Sequence, residues 1–218
     1  MIQALIFDMD GTIVDNMGVH TAVWLELLPE YGLEMTPLQF QAATAGNTNG
    51  QLLRSLIDPE MSDAEVAAIA HKKEILYRER FRPFLKPVAG LVPLLEEAQR
   101  ANVTLAVATA ANQPNIEYVL DGLNLRHYFA TVVGADDVLH GKPEPDLFLL
   151  VAERLSLDPK VCLVFEDSLA GLEAAHRAGM QSVAVTTSHG AEEMMIHPTV
   201  RQAIADFTHF QLGDFVNL

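Results

Sequence analysis

The chain has 218 residues, 50% of them hydrophobic and 20% charged, and carries a formal net charge of −15. This balance excludes a disordered chain and provides for a sizeable core, one domain with room for an insertion. The negative charge excludes a sequence-independent grip on nucleic acid, so any anionic ligand must be caught by local cations or a metal. The single cysteine, Cys162, rules out an internal disulfide. Between Val161 and Leu163-Val164-Phe165 it reads as a small buried apolar residue. No cationic, apolar leader pattern and no run of membrane-spanning length is found. A cytoplasmic location is expected, without nucleic-acid or membrane partners.

The first predicted element is a strand. The apolar run Ala4-Leu5-Ile6-Phe7 stops abruptly at Asp8-Met9-Asp10-Gly11-Thr12. A buried strand that ends in two acids places them at the edge where open α/β sheets bind ligands. Environment can split the pKa values of neighbouring carboxyls, so one can attack while the other moves a proton.

Residues 16–84 break the strand rhythm. Val19 to Leu28 has helical spacing, with Trp24 expected in the core of this segment. Ser62-Asp63-Ala64-Glu65 has the form of a capping box that opens a helix through Arg82. Lys72 and Lys73 on that helix are assigned to its solvated face, the competing reading being that they reach inward. Pro83 and Pro87 mark the return to the sheet.

Four further apolar runs predict strands at Val103–Ala108, Thr131–Val133, Val161–Phe165 and Ser182–Val185. Their near-continuous apolarity fits strands covered on both faces. Helices are expected from Gly90, with Pro93 in the first turn, after Asn112-Gln113-Pro114 as far as Gly122, over Pro145–Arg154, and from Ser168 to Gly179. Met194-Met195 reads as apolar packing, and His189, His197 and His209 lack ligand-like spacing. The expected fold class is α/β: a Rossmann-like three-layer core with a central parallel sheet over residues 1–15 and 85–218. A small helical domain, residues 16–84, is inserted after the first strand.

The chemistry gathers at strand ends. Asp8 and Asp10 beside an apolar strand would be costly without an offsetting cation. Glu166-Asp167 closes another strand, and parallel strands deliver their C-terminal tips to one edge, so the two acidic pairs should face each other. Carboxylate oxygens with a carbonyl and waters form the hard site that Mg²⁺ prefers. The competing reading is that Glu166 and Asp167 cap the helix starting at Ser168. Thr109 closes a third strand, where a hydroxyl and backbone N–H groups entering a helix can cradle phosphate. Lys142, between Gly141 and Pro143, reads as the cation that balances the acids.

With these residues in place, Asp8-Met9-Asp10-Gly11-Thr12, Thr109, Lys142 and Glu166-Asp167 resemble the four motifs of the haloacid dehalogenase superfamily. The helical insertion is similar to the small cap of its branch containing β-phosphoglucomutase and sugar-phosphate phosphatases. The stretch from Leu125 through Lys142-Pro143-Glu144-Pro145-Asp146 to Glu166-Asp167 resembles bacterial hexose-phosphate phosphatases in particular. The resemblance implies that Asp8 is the nucleophile and forms an aspartyl-phosphate, and that Asp10 is the acid and base. It implies Mg²⁺ held by Asp8, the Asp10 carbonyl and Asp167, with Glu166 a ligand or a partner behind the ligands. Thr109 and the Ala110 N–H would hold phosphate oxygens, and Lys142 would neutralise Asp8 and the phosphoryl group. His20, near Asn16, matches a histidine at the cap hinge; a half-buried helix residue is the competing reading. The loop Ala45-Gly46-Asn47-Thr48-Asn49-Gly50 matches a substrate-specificity loop. Mutase relatives carry basic residues there for a second phosphate, and Ala45 and Asn49 replace them. Asn47 and Asn49 could bond sugar hydroxyls or only shape a turn. The implied activity is Mg²⁺-dependent hydrolysis of a small phosphorylated metabolite, a hexose phosphate, by a monomer or weak dimer. The alternatives are a phosphomutase and a non-catalytic protein that binds phosphometabolites.

Overall fold

The computed structural model describes residues 1–44 and 49–216. The chain divides into two compact units, Met1–Asp15 with Leu85–Leu218, and Asn16–Phe84.

The larger unit is built on six parallel strands: β1 Ala4–Phe7, β2 Thr104–Ala108, β3 Thr131–Val133, β4 Cys162–Glu166, β5 Gln181–Val185 and β6 Val200–Ile204. Their order is β3-β2-β1-β4-β5-β6. The order reverses between β1 and β4, and ligands of such sheets bind outside the strand tips at that reversal. The two strands run in register, Phe7 opposite Phe165, so whatever follows Phe7 stands beside whatever follows Phe165.

Side chains alternate across each strand and feed two cores. On one face Ala4, Ile6, Ala106, Cys162 and Val164 pack with Leu147, Phe148 and Val151 and with Ala174 and Ala175. These come from the helices Asp146–Leu155 and Leu169–Arg177. On the other face Phe7 stacks on Phe165 with ring centroids 4.7 Å apart, and Phe207 and Phe210 close against Phe165 at 5.4 and 5.1 Å. Fully burying each such ring contributes roughly 1.5–3 kcal/mol. β1 is buried along its whole length, as its unbroken apolar run requires.

β6 is the strand that sequence reading missed. Val200-Arg201-Gln202-Ala203-Ile204 lies at a sheet edge with only Ile204 buried, and its polar residues hide the strand pattern.

Among the described residues the smaller unit contains four α-helices: α1 Met17–Leu27, α2 Pro37–Thr44, α3 Asn49–Leu56 and α4 Asp63–Phe81. Trp24, Leu28, Phe40, Leu52, Leu53 and Met61 form its core. The expected capping box opens α4: the Ser62 hydroxyl accepts the Glu65 N–H at 3.3 Å, and the Glu65 carboxylate accepts the Ser62 N–H at 3.0 Å. Lys72 is exposed and pairs with Glu30 at 2.6 Å, as a solvated face demands. Lys73 corrects the expectation: it is buried, its Nζ 2.8 Å from the Glu74 carboxylate and 5.9 and 5.7 Å from the centres of the Trp24 and Tyr77 rings. One step along a helix turns the side chain by about 100°, which separates the fates of the two lysines. Among the described residues no helix is long and apolar enough to cross a membrane.

Candidate active site

Two strand tips and one loop carry the centre. Asp8 follows β1, and its N–H donates to the Phe165 carbonyl at 2.9 Å, which carries the sheet's hydrogen bonding up to the first of the acids. Asp8, Glu166 and Asp167 are all buried, and a carboxylate oxygen of each lies within 4.8 Å of the others. Lys142 enters from the loop after β3. Its ammonium is 2.5 Å from Asp8 Oδ1 and 2.8 Å from Glu166 Oε2.

Glu166 is held at both oxygens. Oε2 accepts Lys142, while Oε1 accepts the Ser168 hydroxyl at 2.5 Å and the Ser168 N–H at 3.3 Å. Ser168 itself caps the following helix by accepting the Gly171 N–H at 3.0 Å. The cap is therefore Ser168, and the acids before it are left for the site. Gly171 has to be small, because a Cβ there would strike the Glu166 carboxyl.

The charges do not balance within the protein. Burial pushes the Asp8 carboxyl well above its usual value, and the Glu166 carboxylate adds to that push against the opposing pull of Lys142. Asp167 is raised to about 7, again by burial first and by Glu166 second. Burial alone would lower the Lys142 ammonium, but Asp8 and Glu166 more than offset it and hold its pKa raised. Three clustered carboxylates against one ammonium leave a surplus of negative charge, and their donors are all oxygen. That is the donor set of a hard divalent cation, so Mg²⁺ fits these residues.

Thr109 follows β2 on the same sheet edge, one strand over from Asp8. It is buried; its N–H donates to the Val133 carbonyl at 3.0 Å, and its Oγ1 accepts the Ala111 N–H at 3.1 Å. That bond uses an oxygen lone pair and leaves the hydroxyl hydrogen to donate. Ala110, next in the chain, is exposed. Asp10 is half-buried in the turn after β1, where the Gly11 N–H donates to the Val14 carbonyl at 2.7 Å and the Ile13 N–H to Met9 at 2.9 Å.

The candidate substrate contacts in the smaller unit are three, His20, Asn47 and Asn49. The His20 ring stacks on Tyr77 with centroids 3.8 Å apart, and its Nδ1 is 2.5 Å from Lys73 Nζ. Burial, and then the Lys73 charge, lower the His20 pKa well below its usual value. Asn49 donates to the Glu74 carboxylate at 3.4 Å. Asn47 and Ala45 lie outside the described residues.

Sequence reading missed two contacts to the acidic centre. The Ser188 hydroxyl donates to Asp167 Oδ2, and the Thr187 hydroxyl donates to the Gly11 carbonyl at 2.5 Å.

A family model described as haloacid dehalogenase-like hydrolase matches residues 5–185. Fructose-1-phosphate phosphatase YqaB of Escherichia coli is 38% identical over 183 residues, 83% of this chain and 95% of that protein. Among solved structures, a haloacid dehalogenase hydrolase of family IA, variant 3, from Entamoeba histolytica superposes with a TM-score of 0.92 at 25% identity, covering 99% of this chain and 98% of that one. β-Phosphoglucomutase from Clostridium difficile follows with a TM-score of 0.83 at 25% identity, covering 98% and 95%. With the sheet order, the gathered carboxylates and lysine, and a match across most of its length, the chain belongs to the haloacid dehalogenase-like hydrolases and is a phosphoric monoester hydrolase.

Proposed function

We propose that this chain is a Mg²⁺-dependent phosphatase of small sugar phosphates, hexose phosphates among them, that works through an aspartyl-phosphate on Asp8. The observation that carries this reading is the buried Lys142 ammonium between Asp8 and Glu166, with Asp167 in the same cluster, at the reversal point of the sheet. Phosphoryl transfer asks for charge neutralisation beside a positioned nucleophile, and the Lys142 ammonium against Asp8 supports that reading.

Asp8, Asp167 and the Asp10 carbonyl would hold the ion, which supplies charge neutralisation on the phosphoryl oxygens. Lys142 takes Asp8 Oδ1 and leaves Oδ2 to attack phosphorus. The P–O ester bond breaks as the Asp8–phosphorus bond forms, and Asp10 gives its proton to the departing alkoxide. Asp10, now a base, takes a proton from water, which attacks the aspartyl-phosphate and frees Asp8 and inorganic phosphate. Thr109 donates its hydroxyl hydrogen, and Ala110 its N–H, to the oxygens that do not leave. Glu166, engaged by Lys142 and Ser168, serves to keep the ammonium in place. Residues 16–84 would serve as a cap that excludes water during the first transfer, and His20, Asn47 and Asn49 are its candidates for bonding the organic half of the substrate.

The substrate class rests on the relatives, of which YqaB is named for fructose 1-phosphate. The named mutase neighbour raises a second reading, isomerisation of a sugar phosphate. The sequence disfavours it: the loop positions that are basic in mutase relatives are Ala45 and Asn49 here, and neither carries charge for a second phosphate. The test is phosphate release from a panel of sugar phosphates by wild type and Asp8→Asn, with isomer formation followed in parallel. Wild type should release phosphate and Asp8→Asn should not; equal rates reject the nucleophile, and isomer without phosphate selects the mutase.

A further inference from the structure

We propose that Thr187 and Ser188, in the segment after β5, are positioning residues that set the Asp167 carboxylate and the Asp8–Thr12 turn for the divalent cation. The inference rests on the phosphatase reading for the identity of the site but concerns two residues to which that reading assigns no part.

The placement follows from the sheet. β4 pairs with β5 so that Glu166 lies opposite Ala184, and Asp167 is therefore level with Val185. Beyond Val185, Thr186 remains tied to β6: its N–H donates to the Ile204 carbonyl at 2.8 Å and its hydroxyl to the same oxygen at 3.3 Å. The next two residues thus leave a fixed strand end beside Asp167. Thr187 turns its hydroxyl to the Gly11 carbonyl at 2.5 Å, and Ser188 turns its hydroxyl to Asp167 Oδ2. Gly11 is the point of closest approach: at φ +88° it presents no side chain, and a Cβ there would run into Asp167. The two hydroxyls clamp a single junction, one from the turn side and one from the carboxylate side.

The consequence for the ion is directional. A carboxylate that accepts a fixed donor on one oxygen loses its freedom to rotate and offers the other oxygen in a set direction. With Oδ2 held by Ser188, the plane of the Asp167 carboxylate is fixed beside Asp8 and Glu166, each with a carboxylate oxygen within 4.8 Å of it. Hydrogen-bond partners of this kind, standing behind a metal ligand, are typically worth roughly 10–100-fold in metal affinity or activity. Ser188 is exposed and Thr187 half-buried, so neither is needed to fill the core, and their removal should leave the fold intact.

The test is Mn²⁺ binding to metal-free protein by electron paramagnetic resonance, with Mg²⁺ as competitor, beside thermal unfolding without metal. Ser188→Ala should weaken Mn²⁺ about tenfold, within the range for such partners. Ser188→Thr, which keeps the hydroxyl, should stay close to wild type. Thr187→Val should weaken binding in the same direction, and Thr187→Ser should restore it. The unfolding midpoints of the metal-free variants should match wild type. Ser188→Ala binding Mn²⁺ as wild type does would overturn the inference, as would a loss that Ser188→Thr fails to restore. If wild type hydrolyses sugar phosphates while Ser188→Ala binds the ion normally, only this inference falls. If wild type binds Mn²⁺ and Ser188→Ala weakens it but no ester is hydrolysed, the positioning role stands and the phosphatase reading falls. Wild type that binds no Mn²⁺ overturns both.

Discussion

Replacing Lys142 with methionine removes the cation that pairs with Asp8 and Glu166 in the acidic cluster while keeping a side chain of similar length. The Lys142, Asp8 and Glu166 side chains are 8%, 7% and 1% exposed, so water does little to screen what is left. Breaking a buried ion pair on one side costs about 3–5 kcal/mol, because the partner charge stays behind uncompensated. Here two partners stay behind, with Asp167 beside them. The metal-free variant should relieve part of that cost by taking up a proton, and this gives the prediction a sign. Asp8 is already raised by burial and by Glu166, and loss of Lys142 raises it further. A carboxyl whose folded pKa lies above its unfolded value contributes stability that is full below the unfolded pKa and is lost as pH rises through the folded pKa. Lys142→Met should therefore lose stability more steeply than wild type on going from acid to neutral pH. The added slope is up to about 1.4 kcal/mol per pH unit for each extra proton. Urea unfolding of metal-free protein, from about pH 5.5 to about pH 7.5, reads this directly. Mg²⁺ should restore part of the stability by binding only the folded state. Phosphate release should fall by roughly 10²–10³-fold, the usual loss for one electrostatic contact to a developing charge. A variant with the wild-type pH slope and activity within a fewfold of wild type would refute the reasoning that Lys142 balances these acids.

Gly171→Ala should lower phosphate release by at least about tenfold, since the added methyl must displace Glu166 from Ser168 and Lys142, in spite of a helix-propensity gain near 1 kcal/mol. Gly18→Ala in α1, where a Cβ meets open space, is the control and should be neutral or stabilising in the same assays. Ser62→Ala should cost about 0.5–2 kcal/mol of stability in urea unfolding by deleting the α4 cap, with phosphate release at saturating substrate unchanged. His20 has a folded pKa below its unfolded value, so its contribution is full above about pH 6.5 and is lost as pH falls toward the depressed folded pKa. Stability of wild type should fall below pH 6.5 more steeply than that of His20→Gln, and parallel curves would count against a buried neutral imidazole.

What could be read in the sequence was whatever interrupts a pattern. Asp8 ends an all-apolar strand and Glu166-Asp167 ends another, and a charge placed where an apolar run stops is informative because burial makes it expensive. The family then supplied the roles. Lys142, held in the same way by a glycine and a proline, could be matched to those acids once parallel strands had been inferred. Thr187 and Ser188 interrupt nothing: hydroxyl residues after a strand are what any turn contains, and only the approach of Gly11 to Asp167 gives them meaning. Lys73 was misread for the opposite reason. The buried residues of α4 are Lys73, Glu74, Tyr77 and Phe81; Lys73, Tyr77 and Phe81 form a stripe at intervals of four whose first member is charged. Counting apolar residues alone drops that member and leaves two; counting the interval keeps all three. The same consideration explains why Glu74 is buried beside it: an ammonium drawn into the smaller unit by the Trp24 and Tyr77 rings needs a carboxylate within reach, and the next residue in the chain supplies it. A polar side chain on an apolar stripe is therefore better taken as a sign that a partner is buried with it than as the end of the stripe, and in this chain the partner lies one residue away.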